Sequence, residues 1–191
     1  NHGFKFRRID LPNQPIIPAD VDYVVELARG TTIGIGDAKV NTVEHALAAL
    51  AGLQIDNVLI DIDGPEPPAL DGSSIEYIKI LKTVGIQEQK ANREFYIIDQ
   101  PIHHYEPERN VDLAAFPLDD FRLTVMVDYN SRVLGIQHAT LVKIEDFETE
   151  FADSRTFCFL HEVEHLAKAG LIKGGDLSNA IVIVDKEVAQ G

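Results

Sequence analysis

Two adjacent residues, Glu44 and His45, lie at the start of a stretch with helical periodicity and have side chains of the types that could carry out hydrolysis. A neutral imidazole can hold a zinc ion, and a carboxylate beside it can take a proton from a metal-bound water. A structural interpretation competes with this one, because Asn41 followed three residues later by Glu44 is a capping-box pattern. A lone histidine at a helix start is also more often a surface residue than a metal ligand. The pattern alone favours the cap, and hydrolysis is the alternative.

The helix that would carry this pair is predicted from the spacing of its apolar residues. Its core-facing stripe consists of Val43, Ala46, Leu47, Leu50 and Ala51. The face below His45 contains the small residues Ala48, Ala49 and Gly52. Small residues let another segment of backbone come close, or they leave a shallow hollow beside the imidazole.

Alternation and helical spacing predict the remaining elements. In the first half these are an edge strand within 1–10, a strand at 21–27, a strand and turn within the glycine-rich 29–36, a strand at 57–63 and a helix at Ile75–Val84. In the second half they are strands at 95–98, 121–129, Ile136–Leu141 and 180–184, a short acidic helix at 143–150 and a partly exposed helix at 160–169. The polar segment 87–93 is the predicted linker between the halves.

Two sets of chemically suggestive residues are interpreted as turns. His103 and His104 lie between Pro101 and Pro107, which predicts a solvated loop or hairpin tip. Asp71 precedes a Gly-Ser turn, so a capping or turn role is favoured over a catalytic one.

The composition disfavours several classes of partner. With 31 acidic and 17 basic residues the net charge is -14, which argues against nucleic acid or an anionic membrane surface. A phosphate-bearing substrate would need a local basic patch. The single cysteine, Cys158, cannot form an internal disulfide, which is typical of a cytoplasmic protein. No apolar run approaches the length of a membrane span.

A second candidate site is the H-E-x-x-H pattern of His161, Glu162 and His165, which is typical of zinc metallopeptidases. On a helix the two histidines would share a face one turn apart. Two features argue against this site. Glu164 is charged, whereas the buried helix of such peptidases is uncharged there, and no third ligand follows at a recognisable spacing. Metallopeptidase activity and a non-catalytic binding domain are the two alternative functions.

Three runs of sequence carry a resemblance to a known family. They are T-V-E-H-A-L-A-A-L-A-G-L-Q-I-D-N-V-L-I-D-I-D-G-P-E-P-P-A-L-D-G-S at 42–73, S-R-T-F-C-F at 154–159 and G-L-I-K-G-G at 170–175. Together they resemble the bacterial zinc enzymes that deacetylate UDP-3-O-acyl-N-acetylglucosamine in lipid A synthesis, and the resemblance covers nearly the whole chain. It implies an α+β fold of two similar domains, each a small β-sheet with two helices, with the helices sandwiched between the sheets.

The resemblance also implies the domain organisation. The first domain would occupy 1–90 without its N-terminal strands and would carry Glu44 and His45. The second would occupy 91–191 without its C-terminal part, and it would contain a strand-helix-strand insert near 158–187. We therefore expect the chain to be a fragment at both ends.

Roles for individual residues follow from the same resemblance. It implies that Glu44 is the general base, that His45 is a zinc ligand and that the Thr156 hydroxyl donates to the oxyanion of the tetrahedral intermediate. The substrate-binding residues that it implies are Asp128 and Tyr129 for the uracil, Phe157 and Phe159 for a wall of the nucleotide or acyl pocket, and Leu171 and Ile172 for the acyl passage. Simpler roles are cross-strand pairing for the threonine and packing for the aromatic and apolar residues.

The implied reaction is zinc-dependent removal of the N-acetyl group from UDP-3-O-acyl-N-acetylglucosamine in a Gram-negative bacterium. Zn2+ is the implied cofactor, a UDP-sugar acyl compound the substrate, and the inner membrane a surface for peripheral association. The family's other two zinc ligands lie in an H-K-x-x-D-x-x-G-D motif, which would follow Gly191. We therefore expect the 191-residue chain alone to hold zinc weakly and to be inactive.

Overall fold

The structure is a computed structural model that describes residues 2–163 and 176–185. Within these residues the chain is mixed α+β, with short strands in small sheets and short helices beside them. The α+β prediction is confirmed. The finer prediction of two similar domains at 1–90 and 91–191, with sandwiched helices and an insert near 158–187, stays a prediction.

The first half of the chain builds two three-stranded sheets. Its elements are β1 (Phe4–Arg8), β2 (Ile16–Pro18), β3 (Val24–Glu26), β4 (Thr32–Ile35), β5 (Ala38–Val40), α1 (Glu44–Gly52), β6 (Val58–Ile62) and α2 (Ile75–Val84). One sheet has the order β2-β1-β6, in which β1 is antiparallel to β2 and parallel to β6. The other is the antiparallel sheet β3-β4-β5. The prediction that 1–10 forms an edge strand is wrong, because the chain returns through α1 and places β6 beside β1.

Both sheets contribute to one apolar core that reaches the start of α1. Its buried members are Phe6, Ile17, Ile33, Ala38, Val40 and Val43. Val43 is 1% exposed and immediately precedes α1, so its burial fixes the point at which the helix begins. Burying a side chain of this size contributes about 1.5–3 kcal/mol.

The strand predicted at 21–27 is divided into two elements. A 3-10 helix occupies Val21–Tyr23, and the Asp20 carboxylate caps it by accepting a hydrogen bond from the Asp22 amide at 3.1 Å. Only Val24–Glu26 pairs as a strand, and its register with β4 is shifted. A short acidic side chain that bonds a nearby backbone donor competes with strand formation, which explains the difference.

Two separate cores contact α1. Leu50 is buried, as the predicted stripe requires. Ala51 is exposed, so the stripe is wrong at that position. Ala49, which was assigned to the small-residue face, is instead fully buried in a second core with Ile78 of α2 and Ala152. A helix buried on more than one face does not show a single apolar stripe in its sequence.

The small-residue face of α1 allows a close approach by an aromatic ring. A Cβ atom built on Gly52 would lie 2.2 Å from Cδ1 of Phe147, far inside the contact distance. The ring therefore lies directly on the glycine backbone. The close approach at Gly52 is therefore made by a side chain, whereas the prediction was that a segment of backbone would come close.

Beyond α2 the described chain forms two antiparallel pairs and one parallel pair. The elements are β7 (Ile102–Glu106), β8 (Val111–Ala115), β9 (Leu123–Asp128), β10 (Ile136–Leu141), a 3-10 helix (Ile144–Asp146), α3 (Phe147–Glu150), β11 (Phe157–Phe159) and β12 (Ile181–Ile183). A further helix begins at Leu160, and its described part ends at Val163. The predicted strands near 121–129 and 180–184, the strand Ile136–Leu141 and the helical segment 143–150 are confirmed.

The histidines predicted to lie in a turn belong to a strand. His103 and His104 are inside β7, and the hairpin turn follows at 107–110. Pro101 precedes the strand and Pro107 follows it, so neither has to donate an N–H to the ladder. The prolines mark the limits of the strand and not a turn between them.

The predicted strand at 95–98 is also wrong. This segment belongs to no strand that the structure describes, and Tyr96 is 88% exposed. Residues that favour strands form one only when a neighbouring strand is available for pairing. The described part of the chain places no such neighbour beside this segment.

We predict that Gly52→Ala destabilises the protein by about 1–3 kcal/mol, because an added methyl group would overlap the Phe147 ring. The expected sign opposes helix propensity, which favours alanine over glycine by about 1 kcal/mol. Urea unfolding followed by circular dichroism measures the change.

Gly64→Ala is the matched control, because a Cβ atom there would have no neighbour within 4 Å. Adding Phe147→Leu to Gly52→Ala should recover part of the lost stability by making room for the methyl group. A Gly52→Ala variant as stable as the parent protein would contradict the close contact.

Candidate functional site

One carboxylate oxygen of Glu44 is fixed, and the other is buried without a partner. The Oε1 atom accepts a hydrogen bond from the backbone N–H of Thr31. The Oε2 atom is buried and has no hydrogen-bond partner within residues 2–163 and 176–185. Leaving a buried polar atom unpaired costs about 1–3 kcal/mol. A carboxylate oxygen in this state can accept a hydrogen bond or a proton from a molecule that binds beside it.

The capping-box interpretation of Glu44 is wrong. The helix begins at Glu44 itself, so this residue is the first of α1 and not the third, and the residue at the N-cap position, Val43, makes no capping hydrogen bond through its side chain. The Asn41 side chain points elsewhere, since its Oδ1 atom accepts a hydrogen bond from the Thr32 hydroxyl at 3.1 Å. The carboxylate bonds an amide thirteen residues upstream instead of the helix start.

The segment between β3 and β4 lies over the first turn of α1. The Thr31 carbonyl accepts a hydrogen bond from the Val43 amide at 3.4 Å. A Cβ atom on Gly30 would lie 3.4 Å from Oε1 of Glu44, which is ordinary contact. The backbone of this segment therefore forms one wall around the carboxylate.

His45 follows Glu44 in the first turn of α1 and is half-buried. A catalytic zinc ion takes three protein ligands and keeps a fourth position open. Within the described residues no group of three or more His, Cys, Asp or Glu side chains could hold a metal ion. His45 is next in sequence to Glu44, whose Oε2 atom is unpaired within the described residues.

Thr156 is fixed by backbone contacts to both halves of the chain. Its amide donates to the Gly72 carbonyl at 2.8 Å, and its carbonyl accepts from the Ile181 amide at 2.9 Å. Gly72 has a φ of 82°, and a Cβ atom on it would lie 2.0 Å from the Asn179 carbonyl oxygen, so only glycine fits. The Thr156 and Glu44 side chains do not hydrogen-bond each other in the described structure.

Asp71 has the turn role that the sequence favours. Its Oδ1 atom accepts hydrogen bonds from the Ser73 amide at 3.1 Å and the Ser73 hydroxyl at 2.7 Å. Arg155 donates from Nε to the Asp71 carbonyl at 2.7 Å. Burial alone would raise the pKa of Asp71, but the two Ser73 hydrogen bonds and the charge of Arg155 hold that pKa below its usual value.

Aromatic residues predicted to line the substrate pocket lie together. The rings of Tyr129 and Phe157 meet edge to face with centroids 5.4 Å apart, and Phe157 meets Phe159 in the same way at 5.9 Å. His161 stacks on Phe159 at 5.4 Å and an interplanar angle of 22°. The result is a row of half-buried aromatic rings that ends at an exposed imidazole.

Asp128 ends β9 beside this row, where its Oδ1 atom accepts a hydrogen bond from the Asn130 amide at 2.9 Å. Asp128 and Arg132 line a shallow polar depression. The arginine supplies a local positive charge of the kind that a phosphate-bearing ligand would need. Leu171 and Ile172 lie outside the described residues.

The H-E-x-x-H segment is held by other contacts. Oε1 of Glu162 accepts from the Arg29 guanidinium at 2.8 Å, and Oε2 accepts from the Phe159 amide at 3.2 Å. Burial would raise the pKa of Glu162, but the Phe159 amide and Arg29 hold it below its usual value. Both oxygens of Glu162 are therefore engaged, unlike those of Glu44. His165 lies outside the described residues.

Sequence reasoning missed two partners of these carboxylates, the Thr31 amide and Arg29. A backbone amide has no side-chain signature, so nothing in the sequence indicates the first. Arg29 could not be predicted as a partner either, because it lies 133 residues away from Glu162 in the sequence and only the fold brings the two into contact.

The described residues contain no helix that is both long enough and apolar enough to cross a membrane.

Comparisons with known proteins identify similar sequences along the whole chain. The family model of UDP-3-O-acyl N-acetylglycosamine deacetylase (LpxC) matches residues 1–191. A bifunctional enzyme LpxC/FabZ of Chlorobaculum tepidum is 54% identical over 98% of this chain and 40% of its own length. That of Bacteroides thetaiotaomicron is 47% identical over 100% of this chain and 41% of its own length. A UDP-3-O-acyl-N-acetylglucosamine deacetylase of Trichormus variabilis is 42% identical over 94% of this chain. The chain spans 66% of that relative's length.

We predict that Asp71→Asn lowers the free energy of unfolding at pH 7 by about 1 kcal/mol, the net contribution of a typical intramolecular hydrogen bond. Because folding lowers the pKa of Asp71, its contribution is present above the unfolded value, about 3.9, and is lost as pH falls through the folded value. The difference between the two proteins should therefore shrink below about pH 4. Denaturant unfolding of both proteins at pH 7, 5 and 3 measures it.

Ser73→Ala provides the comparison, because it removes one donor to Asp71 and should reproduce the same pH trend with a smaller amplitude. A stability difference that stays constant from pH 7 to pH 3 would show that the charge of Asp71 is not responsible.

Proposed function

The chain belongs to the UDP-3-O-acyl N-acetylglycosamine deacetylase family, and on that premise we propose that the protein hydrolyses the N-acetyl group of UDP-3-O-acyl-N-acetylglucosamine with the help of zinc. One observation carries the proposal. Glu44 has one oxygen held by a backbone amide and one buried oxygen without a partner, and His45 follows it on the same helical turn. This is an arrangement suited to a general base beside a metal ligand.

Glu44 acts as the general base in the proposed reaction. The Thr31 amide holds Oε1, so the orientation of the carboxylate is set before the substrate binds. Oε2 then accepts the proton of the attacking water, because no donor of the described chain competes for it. Glu44 keeps this proton while the amine leaves and then releases it to solvent, which restores the carboxylate.

Thr156 is proposed to stabilise the tetrahedral intermediate. Its hydroxyl donates a hydrogen bond to the oxygen that becomes negative when water attacks the amide carbonyl. A donor of this kind is effective when it does not have to reorganise, and the Thr156 backbone is held by Gly72 and Ile181 at 2.8 and 2.9 Å. The leaving amine requires a general acid, for which we propose a residue in the part of the relatives that this chain does not span.

His45 is proposed as one zinc ligand. When bound, zinc supplies a Lewis acid for the amide carbonyl and lowers the pKa of a coordinated water. We propose that the remaining ligands also belong to the part of the relatives outside this chain. Because one imidazole is too few for a catalytic site, the 191-residue chain alone is proposed to bind zinc weakly and to be inactive.

Recognition of the UDP-sugar is assigned to the second half of the chain. We propose that Asp128 hydrogen-bonds the uracil and that Tyr129 stacks on it, supported by their position beside the aromatic row. Phe157 and Phe159 would form a wall of the nucleotide or acyl pocket. We propose that Leu171 and Ile172 line the passage for the acyl chain, as the resemblance to the family implies.

We further propose that the reaction takes place in the cytoplasm, with peripheral association at the inner membrane. The single cysteine supports a reducing compartment. A substrate with a nucleotide at one end and an acyl chain at the other would place the protein near a lipid surface.

We predict that in the protein expressed from its complete gene, Glu44→Gln keeps the fold and the zinc content but lowers turnover by about two orders of magnitude or more, the usual scale for a general base. Glutamine can still accept the Thr31 N–H, so the local structure is preserved, but it cannot take the proton of water. A zinc assay and a deacetylation rate on the same preparation measure both effects. Turnover at the parent rate would remove Glu44 from the proposed mechanism.

A second prediction separates the two candidate zinc sites. His45→Ala should lower zinc retention of the full-length protein by at least about tenfold, because a ligand is lost, while His161→Ala should leave it unchanged. Equilibrium dialysis followed by elemental analysis gives the zinc content. The metallopeptidase alternative requires the reverse result, and a non-catalytic binding domain would retain no zinc in any variant.

A further inference from the structure

We propose that Arg29 and Glu162 form a positioning pair that holds the Thr31 amide on the Glu44 carboxylate. The inference rests on the proposed function in so far as Glu44 is the general base. It assigns a role to the arginine before β4 and to the first glutamate of the H-E-x-x-H segment, and neither role involves contact with the substrate.

The pair joins distant parts of the chain at a short distance. The Nη1 atom of Arg29 lies 2.8 Å from Oε1 of Glu162, across 133 residues of sequence. The other oxygen of Glu162 accepts the Phe159 amide at 3.2 Å, so the carboxylate is held from two directions. Phe159 ends β11, the strand that begins directly after Thr156.

The segment that the pair restrains has little regular pairing of its own. Strand β3 ends at Glu26 and β4 begins at Thr32, so 27–31 lies between the two ladders. Arg29 and Thr31 are separated by Gly30, and glycine is the residue type with the most flexible backbone. An anchor at Arg29, one residue before the glycine, limits the movement of the amide one residue after it.

The residue that carries this anchor has an unfavourable backbone conformation of its own. Arg29 has a φ of 62°, in the left-handed region that a residue with a side chain rarely adopts. The ion pair to Glu162 fixes the position of the Arg29 guanidinium, and the backbone after Arg29 runs toward Glu44. Apart from the two hydrogen bonds that Thr31 makes to the start of α1, this strained segment is anchored by the exposed ion pair, so its removal lets the segment change position more readily.

The exposure of the ion pair indicates that it positions the Thr31 amide and contributes little to the stability of the fold. Both side chains are partly exposed, Arg29 at 41% and Glu162 at 31%, and ion pairs of this kind contribute little to folding. A displacement of about 1 Å at a catalytic group can nevertheless lower a rate by about a hundredfold. The pair is therefore expected to affect catalysis far more than unfolding.

The experiment is a double-mutant cycle in the full-length protein with Arg29→Gln, Glu162→Gln and both together. Glutamine at 162 can still accept the Phe159 amide, so only the ion pair is removed. Each single variant should lower kcat about tenfold with KM within about twofold, and the double variant should be no slower than either single one. The midpoint of thermal unfolding should fall by less than about 3 °C.

A structural readout does not depend on catalysis. Hydrogen exchange of the Thr31 amide, followed by NMR, should be at least about tenfold faster in Arg29→Gln than in the parent protein, because the hydrogen bond to Glu44 opens more often. Arg29→Lys keeps the charge and should restore both the exchange rate and most of kcat.

Arg7→Gln is the matched control. Arg7 forms an equally short ion pair with Asp61, at 2.6 Å and with similar exposure, 33% and 43%, but on the sheet β1–β6. It should change neither kcat nor the exchange of the Thr31 amide. A general effect of removing a surface charge would appear in this variant as well.

The outcomes separate the pair from the proposed function. If the Thr31 amide of Arg29→Gln exchanges at the same rate as in the parent protein, the positioning role of the pair is wrong, whatever the activity of the variant. Losses in kcat that multiply in the double variant also overturn it, since Glu162 would then act independently of Arg29. If the parent protein has no deacetylase activity, the proposed function fails, and the exchange of the Thr31 amide still decides whether the pair positions Glu44.

Discussion

The hydrogen bond from the Thr31 amide to Glu44 is the constraint on which the candidate site depends. It fixes one oxygen of the carboxylate and leaves the other buried without a partner in the described residues. A buried oxygen in that state is unfavourable by about 1–3 kcal/mol relative to a paired one. Favourable packing elsewhere must offset this cost, and the packing that fixes the start of α1 does so.

That packing acts on α1 from two cores. Val43, at the helix start, belongs to the core of the two first-half sheets, and Ala49 belongs to a second core with Ile78 of α2. The helix cannot move to satisfy the Glu44 carboxylate without disturbing both. Small residues on α1 make this arrangement feasible, since Phe147 lies directly against Gly52. The first turn is therefore rigid enough to keep an unsatisfied carboxylate in place.

Local sequence signals predicted the parts of the fold that depend on local interactions. Helix α2 has the predicted bounds Ile75–Val84, because its apolar spacing is regular and Gly85 follows with a φ of 80°. The central position of β1 could not be predicted, because its parallel pairing with β6 is made through more than 50 residues of intervening chain. His103 illustrates a third case, in which proline was read as a turn signal although it only bounds a strand.

The candidate site follows the same division. Glu44 and His45 are adjacent in sequence, so their proximity at the helix start needed no knowledge of the fold. The hydrogen-bond partner of Glu44 was predicted wrongly. A capping box is a local rule that pairs the glutamate with the helix start, but the actual donor lies in the segment before β4. Residue type and spacing thus selected the groups proposed to react, whereas the amide that orients Glu44 comes from a separate segment of the chain.

The strand β11 is joined to the first half of the chain by two contacts of different character. At its start the Thr156 amide bonds the Gly72 carbonyl, where a φ of 82° and the nearby Asn179 carbonyl leave no space for a side chain. Beyond its end, Glu162 meets Arg29 in a partly exposed ion pair. The first contact is backbone to backbone and closely packed, so it fixes the position of the proposed oxyanion donor. The second can lengthen or rotate without disturbing a core. Because the segment that donates to the Glu44 carboxylate is joined to the end of β11 through this softer contact, that connection depends on an ion pair and not on a packed core.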